Sequence, residues 1–244
     1  MPKISIKAET IYDLFGFHLS NSLFLSFFVI VFFLLIALKY SHESRSKNKG
    51  GFFYFFQFIV KSIYTLFKSI LGDKIDYFFP LLLSFFIYIL IQNWFGLLPG
   101  VGSILIKIEE HRKQVFVPLF RGNNADLNAT LALGIISVTM IQVYGLKFLG
   151  LAYLKKFINL ANPINFALGL LEIVSEFSRI LSFSFRLFGN IFAGEVLLTI
   201  VAFLVPVLAA FPFLMLEIFV GLVQALVFSM LTAVFISGAV EAHH

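Results

Sequence analysis

The 244-residue chain is too apolar to be a water-soluble domain, because 60% of its residues are hydrophobic and only 13% are charged, about half the usual charged share of a soluble protein. The composition instead predicts an all-α polytopic membrane protein, and the absence of cysteine excludes disulfides and thiolate metal sites. The net charge of +5 comes mainly from lysines and arginines that flank apolar runs, which indicates membrane topology and argues against nucleic-acid binding.

The first third of the chain is predicted to contain one spanning helix and one interfacial helix. Residues 22–39 form an apolar run long enough to cross a bilayer, and a basic, soluble linker at 39–51 follows it. Residues 52–71 are also apolar, but Lys61 and Lys68 lie on one helical face. This pattern is typical of an amphipathic helix that lies in the membrane interface and does not span the membrane.

Two further apolar runs are predicted to form a membrane hairpin. The first, residues 78–98, ends at a Pro-Gly turn. The second, residues 126–147, begins at Asp126 or Asn128, since either side chain is suited to the start of a helix. The connector between them, 99–125, is rich in charge and is predicted to be a polar loop.

The longest apolar tract, residues 160–205, is predicted to begin its helix at Pro163, because proline suits the first helical turn. A continuous helix from there to the end of the tract would be roughly 60 Å long, about twice the ~30 Å thickness of the hydrocarbon. The helix must therefore break near Gly189-Asn190 or lie at a steep tilt.

The last predicted helix, residues 213–240, completes the topology after a turn bracketed by Pro206 and Pro212. Lysine and arginine are concentrated in 39–77 and 147–156, and they are sparser in the segments on the other side of the membrane. By the positive-inside rule, this asymmetry predicts that the N-terminus lies outside and the C-terminus inside.

One face of the long tract carries nearly all of its charge. At 100° per residue, Glu176, Arg179, Arg186 and Asn190 fall within about 40° of Glu172. An arginine at the bilayer centre costs roughly 2.5–3.5 kcal/mol on insertion scales, so aligned charges are expected to face a protein partner or a water-filled cavity. The stripe therefore predicts an ion path.

This stripe contains a distinctive arginine motif. Residues 182–190 read Ser-Phe-Ser-Phe-Arg-Leu-Phe-Gly-Asn, and Ala-Gly-Glu follows at 193–195. The last helix carries Glu217 seven residues before Gln224. In these motifs the chain resembles subunit a of the rotary F-type ATP synthases, and the resemblance covers roughly residues 75–240.

The resemblance implies a stator subunit that has no catalytic activity of its own and belongs to a rotary proton-transporting ATP synthase. The implied partners are a ring of c subunits, each with one membrane-embedded carboxylate, the peripheral stalk subunit b and the rest of the complex in a lipid bilayer. The resemblance also implies that the last two helices form a long, steeply tilted hairpin along the ring, which favours tilt over a break. It implies no cofactor or metal, and the sequence shows no nucleotide-binding motif.

The resemblance gives Arg186 the essential role in proton transfer at the ring. Arginine keeps its proton, so it can attract the ring carboxylate and separate two half-channels but cannot relay a proton itself. Glu195 and Glu217 are expected to form a proton-accepting pair in the inlet half-channel, and Gln224 is expected to orient the Arg186 guanidinium. The remaining path residues are Glu172, Ser175 and Glu176 in the outlet half-channel, together with Asn190. For the carboxylates and Gln224 the alternative is ordinary packing or pairing, such as an i,i+3 pair of Glu176 with Arg179.

Two other classes of membrane protein are left open by the residues alone. A stand-alone ion channel or secondary transporter would use the same arginine and glutamate stripe, although inverted repeats are not evident. An intramembrane hydrolase would need a nucleophile–base or paired-aspartate site, and the membrane runs contain no histidine. The expected location is the bacterial inner membrane, with the mitochondrial inner membrane as the alternative. The sequence leaves the coupling ion, proton or sodium, and the ring size open.

Overall fold

The computed structural model describes residues 9–14, 17–46, 49–98, 101, 104–110, 113–157, 163–205 and 210–241. The helices in these ranges are α1 (Asn21–Arg45), α2 (Gly51–Leu71), α3 (Ile75–Gly96), α4 (Leu127–Leu149), α5 (Pro163–Leu204) and α6 (Ala210–Val240). The strands are β1 (Thr10–Leu14), β2 (Phe17–Ser20), β3 (Leu105–Glu110) and β4 (Lys113–Pro118). Short 3₁₀ turns occupy Gly72–Lys74, Asn123–Ala125 and Gly150–Lys156.

The prediction of an all-α polytopic membrane protein is confirmed. Within the described residues, five helical stretches are long and apolar enough to cross a membrane: α1, the stretch from α2 through α3, α4 with the turn that follows it, α5 and α6. Helix α2 is amphipathic, because it buries Ile63 and Phe67 against its neighbours and exposes Lys61 and Lys68. Its location in the membrane interface stays a prediction.

Several helices extend beyond the ranges that the sequence predicted, and two of these extensions involve residues that were assigned to a linker or a turn. Helix α1 continues to Arg45, so part of the predicted linker is helical. Helix α6 begins at Ala210, which places Pro212 in its first turn and not at the end of a loop. Proline is tolerated there because the first N–H groups of a helix have no intrahelical partner. The predicted Pro-Gly turn at 99–100 and the turn residue Pro206 lie outside the described residues.

The connector between α3 and α4 is folded, which corrects the prediction of a polar loop. Strands β3 and β4 pair as an antiparallel hairpin, and a 3₁₀ turn then leads into α4. At the start of α4, the backbone N–H of Asn128 donates to Asp126 Oδ1 over 3.0 Å, so Asp126 is the capping residue. Isoleucine alternates with charged residues at 106–109, which is a strand pattern that the charge of the connector alone does not reveal.

The core is formed where α3, α4 and α6 meet. The rings of Phe85 in α3 and Phe228 in α6 lie 5.5 Å apart between centroids, and both side chains are buried. Ser137 Oγ of α4 and Thr232 Oγ1 of α6 lie 2.9 Å apart and form a buried hydrogen bond, a common link between membrane helices. Gly134 allows α5 to approach α4 closely, because a methyl group there would collide with α5. These three helices therefore form the packed surface against which the buried face of α5 lies.

Helix α5 is one unbroken helix of 42 residues that passes through Gly189 and Asn190 without interruption. At 1.5 Å per residue it is about 63 Å long, so it fits within about 30 Å of hydrocarbon only when it is steeply tilted. Only one narrow face of α5 is buried, and most of its large apolar side chains are exposed. The rest of its surface is therefore available to lipid or to another protein. The buried residues are Gly169, Glu176, Phe183, Ser184, Leu187 and Gly194.

Candidate functional site

Two cavities lie on opposite flanks of the buried face of α5. From Arg186 to Glu195 the helix turns by about two and a half turns and rises by roughly 13 Å, so these two side chains point in opposite directions at different depths. Among the described residues, none lines both cavities. From α5, the carboxylate cavity is lined by Ile191, Glu195, Leu198 and Thr199. The serine cavity is lined by Ser175, Ser178, Arg179, Ser182, Phe183 and Arg186.

The carboxylate cavity has a volume of about 260 Å³ and is enclosed by α3, the α3–α4 connector, α5 and α6. Its charged lining residues are Arg121, Glu195 and Glu217, and its lining also includes the amides of Gln92 and Asn93. A cavity of this volume has room for several water molecules, since one water occupies about 30 Å³ in the liquid. The two predicted inlet carboxylates therefore line one and the same cavity.

Glu217 is held directly against the backbone of α5. Its side chain is buried, with only 7% of the residue surface exposed. The carboxylate lies over Gly194, where any added Cβ would overlap both carboxylate oxygens. The glycine of the Ala-Gly-Glu motif thus leaves the space that the α6 carboxylate occupies.

Glu195 has a different partner. Its Oε2 lies 3.6 Å from Nη2 of Arg121, which the folded connector brings to the cavity and buries to 8% exposure. The Glu195 side chain itself is 44% exposed. Within the described part of the chain, no hydrogen bond joins Glu195 to Glu217. The predicted pair therefore shares a cavity while each carboxylate keeps its own surroundings.

The serine cavity, about 290 Å³ in volume, contains two arginines and has no carboxylate among its described lining residues. Arg186 is exposed, and its Nη2 donates to Ser182 Oγ over 3.3 Å, its one hydrogen bond to the described residues. Arg179 stacks over the ring of Phe235, with its Cζ 4.0 Å from the ring centroid. The Arg186 guanidinium is consequently left without an opposite charge in the described part of the chain.

The two acids predicted for the outlet are already paired with cations. Lys156 Nζ lies 2.6 Å from Glu172 Oε1, and Arg179 Nη1 donates to Glu176 Oε1 over 2.7 Å. The second pair is the i,i+3 alternative that the sequence left open, and Glu176 is buried with only 9% of its surface exposed. Of the three residues predicted for the outlet, only Ser175 lines the serine cavity.

The structure brings Arg186 and Ser175 to one cavity and Glu195 and Glu217 to the other, but four predicted residues line neither: Glu172, Glu176, Asn190 and Gln224. Gln224 is half-buried in α6 and makes no hydrogen bond to Arg186 within the described residues. Asn190 is exposed on α5, one turn beyond Arg186. Across the same residues, no group of three or more metal-ligating side chains converges.

Arg121 and Gln92 are site residues that sequence reasoning missed. Arg121 was counted among the charges of a loop, and its burial depends on how the connector folds back onto the helices. Gln92 follows a long apolar run in α3 and lies next to Asn93, so a polar pair inside a membrane segment was the available signal.

Comparison with known proteins agrees with the motif and the fold. A family model described as ATP synthase A chain matches residues 22–237. A protein of Syntrophobacter fumaroxidans named ATP synthase subunit a is 33% identical over 191 residues, which cover 78% of this chain and 72% of the relative. With five potential spans, a polar motif on a long exposed helix and these two matches, the chain belongs to the family of ATP synthase subunit a.

Proposed function

We propose that the chain is the proton-translocating stator subunit of a rotary ATP synthase, in which Arg186 faces a ring of c subunits and two half-channels connect the ring to the two sides of the membrane. The observation that carries this proposal is the pair of separate cavities beside one continuous helix. Carboxylates line one cavity, arginines and serines line the other, and Arg186 is the α5 residue of the serine cavity nearest in sequence to the carboxylate cavity.

The carboxylate cavity is the proposed inlet. Water in this space would bring protons to Glu195 and Glu217, and either carboxylate can take up a proton and pass it to a ring carboxylate that comes alongside α5. Glu217 is the more buried of the two carboxylates, which suits a group that transfers single protons to the ring. Glu195 is more exposed and beside Arg121, which suits the outer part of the path.

Arg186 is the proposed partner of the ring carboxylate. A guanidinium has five N–H donors, and the described structure uses one of them, over 3.3 Å to Ser182. The other donors are free to bind a carboxylate side by side, and a fixed cation favours the charged form of a nearby acid. Because arginine does not release its proton, its charge also opposes direct passage of protons from one cavity to the other.

The serine cavity is the proposed outlet. Hydroxyl groups of Ser175, Ser178 and Ser182 can hydrogen-bond water without binding the departing proton. Glu172 and Glu176 are paired with cations and do not line this cavity, so we assign them a structural role beside the outlet. Asn190 is proposed to lie along the path on the side that faces the ring. Gln224 is proposed to lie behind Arg186.

The proposed partners are the c-ring and the peripheral stalk subunit b, and the proposed location is the bacterial inner membrane, since the relative is a bacterial protein. The rival is a stand-alone channel or secondary transporter with the same residues. Mild detergent extraction followed by affinity purification separates the two: the proposal expects stoichiometric recovery of a small helical-hairpin subunit that forms a ring. Recovery of this chain as a monomer or homo-oligomer that conducts ions by itself would favour the rival.

Substitution of Arg186 tests the chemistry. Arg186→Lys is expected to abolish ATP-driven proton pumping in membrane vesicles, because an ammonium group lacks the planar fork of the guanidinium. Arg186→Ala is expected to abolish pumping as well and to raise passive proton leakage. Arg179→Lys is the matched control on the same helix, since it keeps a cation beside Glu176, and it should retain most of the pumping. Normal pumping by both Arg186 variants would exclude the proposed role.

A further inference from the structure

The end of α3 places a completely buried amide beside the carboxylate cavity. Gln92 has no exposed surface and is one of the residues that line the cavity. Its Nε2 donates to Ser26 Oγ of α1 over 3.1 Å. Its Oε1 is buried and accepts no hydrogen bond from the residues that the structure describes. A buried amide oxygen without a donor is costly, and a small movement of the side chain towards the adjacent cavity would let water satisfy it.

The orientation of this amide is fixed by the chemistry of Ser26. The Ser26 hydroxyl donates its only proton to the backbone carbonyl of Ser22 over 3.0 Å. In this arrangement it accepts from Gln92, and the Gln92 atom that faces it is the nitrogen. The carbonyl oxygen is then the amide atom that does not bind Ser26. Ser22, one turn before Ser26 in α1, also links α1 to α4. Its Oγ donates to Asp126 Oδ2 over 3.2 Å at the cap of α4.

The other amide that lines the cavity, Asn93, is already engaged. Asn93 Nδ2 donates to the carbonyl of Gly221 over 2.9 Å, and its Oδ1 accepts from Asn124 Nδ2 over 2.6 Å. Asn93 thus links α3 to α6 and to the connector, and its hydrogen bonds are used for packing. Gln92 is the amide of this wall with an acceptor to spare.

We infer that Gln92 is a positioning residue of the proton inlet, and that α1 takes part in the inlet by holding it. The Gln92 carbonyl oxygen anchors a water molecule in the carboxylate cavity, and Ser26 prevents the amide from turning its N–H group towards that water. This assignment rests on the proposed function of the cavity. It extends the functional part of the chain to α1, whose sequence carries none of the motifs described above.

Variants of Gln92 in the complete ATP synthase, reconstituted into vesicles, test the assignment. Gln92→Met keeps the length of the side chain but removes the acceptor, and it is expected to lower proton flux about five- to tenfold, the effect of one lost hydrogen bond. Gln92→Glu keeps an oxygen acceptor but loses the N–H that donates to Ser26, so its flux is expected to lie between that of Gln92→Met and that of the wild type. ATP hydrolysis by the detergent-solubilised, uncoupled complex should be unchanged in both variants.

Ser26→Ala provides a second measurement that leaves Gln92 in place. It is expected to lower proton flux two- to threefold, because the amide becomes free to turn. Ser229→Ala is the matched control, since Ser229 is also fully buried but donates only to Ala225 of its own helix. The proton flux of Ser229→Ala should equal that of the wild type. If Gln92→Met does not assemble, the flux of Ser26→Ala is the measurement that tests the assignment.

Two results would overturn the assignment. One is wild-type flux in Gln92→Met or, should that variant not assemble, in Ser26→Ala. The other is an equal loss in Gln92→Met and Gln92→Glu, which would indicate a packing role. Arg186→Ala in the same vesicles tests the underlying proposed function separately. If Arg186→Ala pumps normally, the proposed function fails. If Arg186→Ala loses pumping while Gln92→Met keeps wild-type flux, only the Gln92 assignment is rejected.

Discussion

The two cavities beside α5 differ in how completely the chain itself supplies their charges. In the carboxylate cavity, Glu195 is paired with Arg121, and Glu217 is buried against the backbone at Gly194. In the serine cavity, Arg186 is exposed and has one long hydrogen bond to Ser182. Among the described lining residues, the first cavity contains charges of both signs, whereas the second contains cations only.

This difference indicates where a partner has to act. A cation at membrane depth without a counterpart is costly, so under the proposed function Arg186 marks the surface at which the ring supplies an anion. Under the same proposal the carboxylate cavity needs no such partner and works as a water-filled passage. The comparison predicts that changes in the two cavities will have different signatures.

Sidedness of chemical labelling should give the sharpest contrast. The chain has no cysteine, so single cysteines report their own position. In the predicted orientation, the α5 N-terminus is inside. A membrane-impermeant thiol reagent should therefore label Ser175→Cys from the inside and Thr199→Cys from the outside, because the two residues line different cavities. The measurement is modification of right-side-out and inverted vesicles.

Ser229→Cys serves as the control, because this residue is fully buried in α6 and should react from neither side. Labelling of Ser175→Cys and Thr199→Cys from the same side would show that the cavities do not form two half-channels. Reversed sidedness would instead keep the half-channels and reject the predicted orientation.

The next largest effect is expected from the carboxylates. Glu217→Gln removes a titratable group with little change of shape and should reduce proton flux on the order of 100-fold. Glu195→Gln should cost less, and the double variant should lose less than the two free energies combined, because both groups line one cavity. Glu172→Gln is the matched control: its partly exposed pair with Lys156 is worth at most about 1 kcal/mol, so pumping should change little. Additive losses at Glu195 and Glu217 would mean that the carboxylates act independently.

A smaller effect is expected at Gly194. Gly194→Ala places a methyl group where the Glu217 carboxylate now lies, so α5 and α6 must shift or the carboxylate must move away. Overpacking of this kind costs about 1–3 kcal/mol, and we expect roughly tenfold lower proton flux with the complex still assembled. Gly238→Ala in α6 should be neutral, because nothing lies within 4 Å of an added Cβ there. Unchanged flux in Gly194→Ala would show that the exact position of Glu217 is unimportant.

Much of the fold could be predicted because membrane helices are determined by local composition. The apolar runs gave the spans, and Pro163 marked the start of α5. Helix bounds were less certain where no sharp chemical change occurs, as at the end of α1, which continues to Arg45 through polar residues. The β3–β4 hairpin was missed because the charges of this segment suggested a loop, although apolar and charged residues alternate in it.

The site was predictable where side chains lie on one helix and less so where distant segments meet. The stripe on α5 follows from helical periodicity alone, and the shared cavity of Glu195 and Glu217 was suggested by the motif. The pairing of Glu195 with Arg121 depends on the folded connector, and no local pattern reveals it. The same is true of Ser26 and Gln92, which lie 66 positions apart in the chain.

The exposed guanidinium of Arg186 also bears on how a complex of this kind is put together. A newly inserted chain would hold this cation against lipid, at a cost of roughly 2.5–3.5 kcal/mol. Meeting a partner that offers a carboxylate removes this cost, and a difference of this size favours the joined state by about 100-fold. The subunit is thus expected to be least stable alone, to be a substrate for quality-control proteolysis while unjoined, and to be protected once its partner is in place.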